Sequence, residues 1–288
     1  MIENGIILKG IGGFYYVKTD RNVIETRARG LFRKQGIKPL AGDRVTVENG
    51  YIIEIQPRKN VLIRPPVANI DALGIVISSH LPVPDMVLTD KLIIYGLLND
   101  LETFLIINKN DLNNEMSDEI RLQYNDSGIK VFQTSAETGV GMNELKGYLH
   151  GKITCLTGQS AVGKSSIINT VLGEDIFDTG SLINKTDKGK QTTRKSELVF
   201  SESLNGGIID TPGFNIFDCI EMEPEQLSAY YSEFNSHLNC KFQSCLHYKE
   251  AGCAVKEAVD AGKINMRRYN RYIVILKELI QRRLTRYD

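Results

Sequence analysis

The sequence of 288 residues has no tryptophan, eight prolines and only five cysteines. The missing tryptophan carries no information, but the cysteine count does. Five is an odd number, and three of the five crowd between residues 240 and 253 beside a histidine. That pattern suits metal binding better than a disulfide framework. No apolar run approaches the roughly 18 residues that a membrane helix needs. The opening residues MIENGIILKG lack the basic start and small-residue cleavage site of a signal peptide. A cytoplasmic protein with no membrane attachment is expected. Internal repeats and low-complexity tracts are also missing, and so is net charge, with 35 Lys and Arg against 35 Asp and Glu. A zero balance argues against a chain that coats itself in nucleic acid. What is present, 42% hydrophobic and 24% charged residues, excludes disorder and leaves room for about two or three domains.

The zero balance hides segregation. Residues 1–64 carry a formal charge of +6, residues 65–220 carry −8 and residues 221–288 carry +2. Over 1–64, short apolar or alternating stretches (6–8, 14–18, 23–27, 44–47, 51–55) are split by Gly, Asn and Asp, which predicts a small all-β domain closed as an OB-like or SH3-like barrel. Arg64-Pro65-Pro66 reads as a boundary, because proline removes a backbone donor and turns its predecessor away from helix. Beyond it, near-continuous Ile/Val/Leu runs at 72–78, 103–108, 130–134, 152–157 and 207–210 alternate with helical text such as 85–98 and 165–172. These runs predict an α/β domain over 65–220 with a parallel sheet covered on both faces. Residues 221–288 are expected to be helical around the cysteine cluster. From 264 onward Tyr269, Tyr272, Ile273, Leu276, Leu279, Ile280 and Leu284 make an apolar stripe beside a basic face.

Residues 158–165 read GQSAVGKS, a match to G-x-x-x-x-G-K-[ST] placed after an apolar run and before helical text. Gly158 and Gly163 let the backbone curl so that successive N–H groups of Gln159, Ser160, Ala161, Val162, Lys164, Ser165 and Ser166 face phosphate at a helix N-terminus. Lys164 is predicted to hold the β- and γ-phosphates, and the Ser165 hydroxyl to ligate Mg²⁺. Downstream, a short apolar run ends in Asp210-Thr211-Pro212-Gly213. Asp210 is predicted on the metal side and Gly213 at the γ-phosphate.

Asn108-Lys109-Asn110-Asp111 ends another apolar run, and Thr134-Ser135-Ala136 ends the next. They match the N-K-x-D and S-A elements of GTPases. Guanine presents N1–H and an exocyclic amine side by side, and the Asp111 carboxylate accepts both. Adenine would leave that carboxylate unpaired, so the expected preference is about 10⁴-fold. In ordinary GTPases the phosphate loop comes first and N-K-x-D near the end. Here Asn108 and Ser135 precede Gly158 and Asp210, so a circularly permuted domain is predicted, which a parallel sheet tolerates when the new ends lie at the surface.

With a small barrel in front, a permuted GTPase domain and a Cys/His cluster behind, the chain resembles the RsgA family of small-subunit-dependent GTPases over essentially its whole length. The resemblance implies an OB-fold N-terminus, GTP hydrolysis to GDP and phosphate stimulated by the small ribosomal subunit, contact with its rRNA, and a role in late subunit maturation. DNA is not an implied partner, and a monomer is expected. One stretch departs from the family. Where RsgA proteins commonly show a G-R-H-T-T-like switch with a histidine suspected in catalysis, this chain reads Gly189-Lys190-Gln191-Thr192-Thr193. Gln191 is the candidate to orient water, and Thr193 looks like the switch threonine that reaches Mg²⁺. Phe214 stands where a Ras-like enzyme has its glutamine, which predicts slow intrinsic turnover.

Cys240, Cys245, His247 and Cys253 form C-x4-C-x-H-x5-C, a closed set of four ligands that predicts one structural Zn²⁺. Cys155 and Cys219 read as small apolar core residues. For rRNA, the N-terminal segment offers Arg27, Arg29, Arg33, Lys34 and Lys38, with Phe32 among them as a stacking candidate.

Overall fold

The computed structural model describes residues 2–173, 196–210 and 220–285, apart from the side chain of Arg33. Five strands, β1 (Ile2–Ile11), β2 (Phe14–Thr19), β3 (Val23–Ala28), β4 (Arg44–Glu48) and β5 (Tyr51–Ile55), close into a barrel in the order β1-β2-β3-β5-β4. Every neighbouring pair is antiparallel except β3 and β5. A parallel pair cannot be joined by a tight hairpin, and the intervening chain carries α1 (Gly30–Lys34) and β4. Alternation along the strands sends Ile7, Val17, Val45, Val47 and Ile52 inward. Phe32 joins them in the barrel core and is only 7% exposed, which corrects its assignment as a stacking residue. In the sequence it looks like an aromatic among cations; in space α1 turns it into the barrel, where burying the ring is worth about 2–3 kcal/mol.

A short ribbon of β6 (Val61–Leu62) and β7 (Val67–Ala68) brackets Arg64-Pro65-Pro66. The second sheet has six strands: β8 (Ala72–Ser78), β9 (Glu102–Asn108), β10 (Lys130–Gln133), β11 (Ile153–Thr157), β12 (Glu197–Ser201) and β13 (Gly206–Asp210), ordered β10-β9-β8-β11-β13-β12. Five strands are parallel, and β12 adds an antiparallel edge that the apolar-run pattern did not indicate. All seven residues of β8 are buried, as expected for a strand covered on both faces. On one face lie α2 (Met86–Leu98) and α3 (Asn114–Gln123), which contribute Leu92, Ile93, Tyr95 and Ile120 to the core. On the other lie α4 (Met142–Leu149) and α5 (Lys164–Leu172), with Leu145, Leu149, Ile167, Ile168 and Val171.

The C-terminal part begins with two 3-10 segments, Pro224–Tyr230 and Ser232–His237, and passes through the cysteine loop to α6 (Ala254–Asp260) and α7 (Met266–Thr285). Its core includes Tyr231, Phe234, Tyr272, Ile275 and Leu276, and it also takes in Ile94 from α2. Helix α2 is therefore covered twice, by the sheet on one side and by α7 on the other. The basic face predicted for α7 is only partly a solvent face, because Arg268 and Arg271 are buried. Both grip Asp90 of α2: Arg268 Nη1 donates to Asp90 Oδ1, and Arg271 Nε donates to Oδ2 at 2.5 Å. Tyr124 Oη donates to Oδ1 at 2.6 Å, and Arg268 Nε also reaches Glu233 Oε1 at 2.8 Å.

Candidate nucleotide site and metal centre

The C-terminal ends of β8, β9 and β11 lie side by side, since Ser78 pairs with Asn108 and Thr157 with Ile75. Ligands of open parallel sheets bind at this edge. At the end of β11 the chain enters Gly158 at φ 143°, where an added Cβ would stand 2.1 Å from the Val76 carbonyl oxygen. The loop closes at Gly163, φ 97°, the residue just before α5. Only glycine combines that conformation with so close an approach. The N–H groups of the first turn of α5 are left for an anion.

Lys164 is 9% exposed, and its Nζ donates to the carbonyls of Gly158 at 2.9 Å and Gln159 at 2.7 Å. Burial holds its pKa below the ordinary lysine value, against the opposing pull of Asp210. An ammonium whose hydrogen bonds among the described residues go to its own loop is a cation suited to phosphate. Asp210, at the end of β13, is 4% exposed. A buried carboxylate close enough to act on Lys164, with the Ser165 hydroxyl at the start of α5, is a donor set that suits Mg²⁺ beside phosphates.

Asn108 joins the loops. It is 2% exposed; its Nδ2 donates to Val162 O of the phosphate loop at 3.0 Å, and its Oδ1 accepts from the Ala136 N–H at 3.1 Å. Lys109, at φ 63°, donates from Nζ to Leu81 O at 2.5 Å and Ala161 O at 2.8 Å. Burial lowers its pKa too, while Asp111 raises it. Asp111 is exposed at the mouth of the site, and buried Ser135 braces its turn by accepting from the Thr138 N–H at 3.1 Å. Three stretches far apart in sequence, 108–111, 134–136 and 158–165, thus form one site. Gln191, Thr193 and Gly213, with Cys219 and Phe214, lie outside the described residues.

One contributor, Ser79, escaped the motif reading, and so did one side-chain contact, that of Gln159. Ser79 donates from Oγ to Lys109 O at 2.7 Å and so braces the base-reading turn; the serine pair ending the apolar run 72–78 was the available signal. Gln159 Oε1 accepts from the Asp85 N–H at 3.2 Å, tying the phosphate loop to the start of α2. No sequence pattern marks that contact.

In the C-terminal part, the ligand atoms of Cys240, Cys245, His247 and Cys253 all lie within 4.8 Å of one another. The Cys240 Sγ to Cys253 Sγ distance is 3.9 Å, and His247 Nδ1 stands 3.5 and 3.4 Å from those two sulfurs. Tetrahedral Zn²⁺ with bonds of about 2.3 Å to sulfur and about 2.0 Å to nitrogen requires ligand separations of roughly 3.5–3.8 Å. The donor set fits the ion. Burial lowers the His247 pKa, against the pull of Glu250, in the direction that favours the neutral ligating form, and pushes the Cys245 thiol up to about 12, a cost that a divalent cation reverses. Helix α7 holds the loop from outside: Tyr269 Oη donates to His247 O at 2.7 Å, and Tyr272 Oη to Leu246 O at 2.8 Å. Cys155 is fully buried in β11, as its apolar reading predicted.

Residues 55–220 match the family described as RsgA GTPase, and residues 4–51 match the RsgA N-terminal domain. The chain belongs to the RsgA GTPase family. It is 44% identical to the "Small ribosomal subunit biogenesis GTPase RsgA" of Caldanaerobacter subterraneus subsp. tengcongensis, with 98% of each chain covered. It is 42% identical to the protein of the same name from Ruminiclostridium cellulolyticum, covering 96% of this chain and 94% of the relative. Among solved structures, YjeQ from Thermotoga maritima superposes with a TM-score of 0.78 at 33% identity, covering 97% of this chain and 99% of that one. YloQ, described as a circularly permuted GTPase, gives 0.75 at 32% identity, covering 98% and 96%. As an RsgA-type enzyme, the protein is a GTP hydrolase with GDP as product and Mg²⁺ as its ion. The barrel, the permuted sheet and the helical Cys/His part are the architecture read from the sequence. No helix among the described residues is long and apolar enough to cross a membrane.

Proposed function

We propose that this GTPase works on the small ribosomal subunit, binds its rRNA and assists late maturation, with the subunit stimulating hydrolysis. The names of its relatives support the ribosomal part. The division of labour would be 1–64 for RNA contact, 65–220 for GTP and 221–288 for one structural zinc, in a monomer of the cytoplasm.

Asn108 carries the reading of the site. A single buried amide that bonds both the phosphate loop and the turn at Ala136 makes base recognition and phosphate recognition one rigid unit. In that unit Asn108, Lys109 and Asp111 read guanine, with Ser135 and Ala136 closing over it. The 158–166 backbone and Lys164 would hold the phosphates, and Ser165, Asp210 and Thr193 would hold Mg²⁺, which when bound would supply positive charge beside the phosphates. Gln191 is assigned to orient water, with Gly213 at the γ-phosphate.

The test is steady-state hydrolysis of GTP and ATP with and without purified small subunits, in Mg²⁺ buffer at fixed salt. A large, GTP-selective stimulation is expected. Absence of stimulation with tight GTP binding would send the search to another partner.

A further inference from the structure

Strand β12 is the outer strand of the second sheet, and β1 of the barrel runs close against it. Ile6 and Leu8 of β1 pack on the same core as Leu198 of β12 and Ile209 of β13. Two barrel cations also reach β12. Lys9 Nζ donates to Glu197 Oε1 at 2.6 Å, with both side chains 31% exposed, and Lys18 Nζ stands 5.5 Å from the centre of the Phe200 ring. Glu197 is the first residue of β12 and Phe200 the last but one, so the barrel is fastened to this strand near both of its ends.

The strand register carries that contact to the nucleotide site. Asp210, the metal-side carboxylate at the end of β13, is paired on one side with Leu156 of β11 and on the other with Glu197. Strand β11 lies inside the sheet, whereas β12 is an edge strand that has the barrel for its outer support. Residues directly opposite in an antiparallel pair share a face, with Cβ atoms about 4.5–5.5 Å apart, and like charges placed so repel. Lys9 answers both problems, since it neutralises Glu197 and ties it down. Its aim is set by an irregularity: the register of β1 on β2 shifts between Ile7 and Lys9 and leaves Leu8 without an opposite residue. Such a bulge bends the strand and redirects the side chains beside it.

We propose that Lys9 is a positioning residue for GTP hydrolysis: by holding Glu197, the barrel steadies the rung of β12 and β13 on which Asp210 stands, and with it the metal side of the nucleotide site. The inference rests on the reading of Asp210 as a Mg²⁺ ligand, and it gives the barrel a task inside the enzyme, separate from any external partner.

The experiment follows binding of a fluorescent GDP analogue to the full-length protein, first in EDTA and then across a Mg²⁺ titration, with GTP turnover measured over the same titration. Lys9→Ala and Glu197→Ala are each expected to raise the half-saturating Mg²⁺ concentration about threefold or more in both readouts, and the double variant should be no worse than either single one. GDP affinity in EDTA should stay within about twofold of wild type, and Lys9→Arg, which keeps the ion pair, should behave as wild type. Charge without positioning gives another pattern: losing Lys9 leaves more negative charge near the ion and tightens Mg²⁺, whereas losing Glu197 weakens it. Shifts of opposite sign, wild-type half-saturation in both single variants, additive effects in the double variant, or equal losses in EDTA and in Mg²⁺ overturn the proposal. Asp210→Asn tells its failure from that of the site reading. A full Mg²⁺ gain in GDP affinity in Asp210→Asn sinks the assignment of the metal ligand and the brace with it, whereas a gain lost there but intact in Lys9→Ala sinks the brace alone.

Discussion

Asn108 has no slack around it. Gly163 packs so close that a Cβ there would stand 2.3 Å from Asn108 Nδ2, in a backbone conformation that side chains rarely adopt. Gly163→Ala is therefore expected to push Asn108 away from Val162 and to weaken GTP binding at least tenfold, about 1.4 kcal/mol or more. Calorimetric titration measures it, with thermal unfolding of the nucleotide-free protein as the comparison. Asp111 is the opposite kind of residue, exposed and awaiting its partner. Asp111→Asn should cost about 10⁴-fold in preference for guanosine over xanthosine nucleotides, because the amide mismatches the guanine edge and suits the xanthine one. An unchanged preference in competition binding would remove Asp111 from base recognition. The motifs that contain these residues were legible as short runs of sequence. The contacts of Ser79 and Gln159 were not, because each depends on a loop from another strand end.

Helix α2 is the element on which the most converges. Its first N–H groups meet Asp85, whose own N–H is tied to Gln159, and its middle presents Asp90 to α7. Removing that carboxylate would leave Arg268, 2% exposed, with Glu233 alone and Arg271, 8% exposed, with only the neutral Gln123 amide among these partners. Breaking a buried ion pair from one side costs about 3–5 kcal/mol. Asp90→Ala is expected to lower unfolding free energy by that amount in urea titration. Lys91 pairs with Glu278 at 2.5 Å; the Lys91 side chain is buried, but Glu278 is 39% exposed and glutamine keeps an acceptor, so Glu278→Gln should cost less, about 1–2 kcal/mol. Equal effects of the two substitutions would show that the Asp90 cluster is not the joint. From sequence, α7 read as an amphipathic helix with a basic face beside its apolar stripe. A helical period locates the apolar stripe, but a second buried partner beside it is invisible without the rest of the fold.

At the scale of the whole molecule, four buried cores among the described residues accompany two ligand chemistries. The Cys/His loop belongs to the C-terminal core, whose members include partly buried Cys240 and Cys245, while the nucleotide site sits on the two cores of the sheet. Metal analysis of protein purified without added metal is expected to give one zinc per chain. Chelation should lower the unfolding temperature by several degrees and reduce helicity, since the loop bonded by Tyr269 and Tyr272 loses its centre. GDP affinity should change by less than about threefold. A stoichiometry near zero in well-folded protein would remove the ligand assignment.

Local chemistry is what the amino-acid order carries on its own. Periods of two and of near-continuous apolar residues marked barrel and sheet, GQSAVGKS and NKND marked loops whose function is written in adjacent residues, and their reversed order marked the permutation. Side-chain destiny at element surfaces is what folding had to decide. Phe32 looked like a stacking aromatic among cations and lies inside the barrel; Arg268 and Arg271 belong to the basic face read beside the α7 stripe and are buried against Asp90. The reason is physical: burial and ion pairing depend on which second element covers a residue, and that element lies 178 residues away for Arg268 and Asp90.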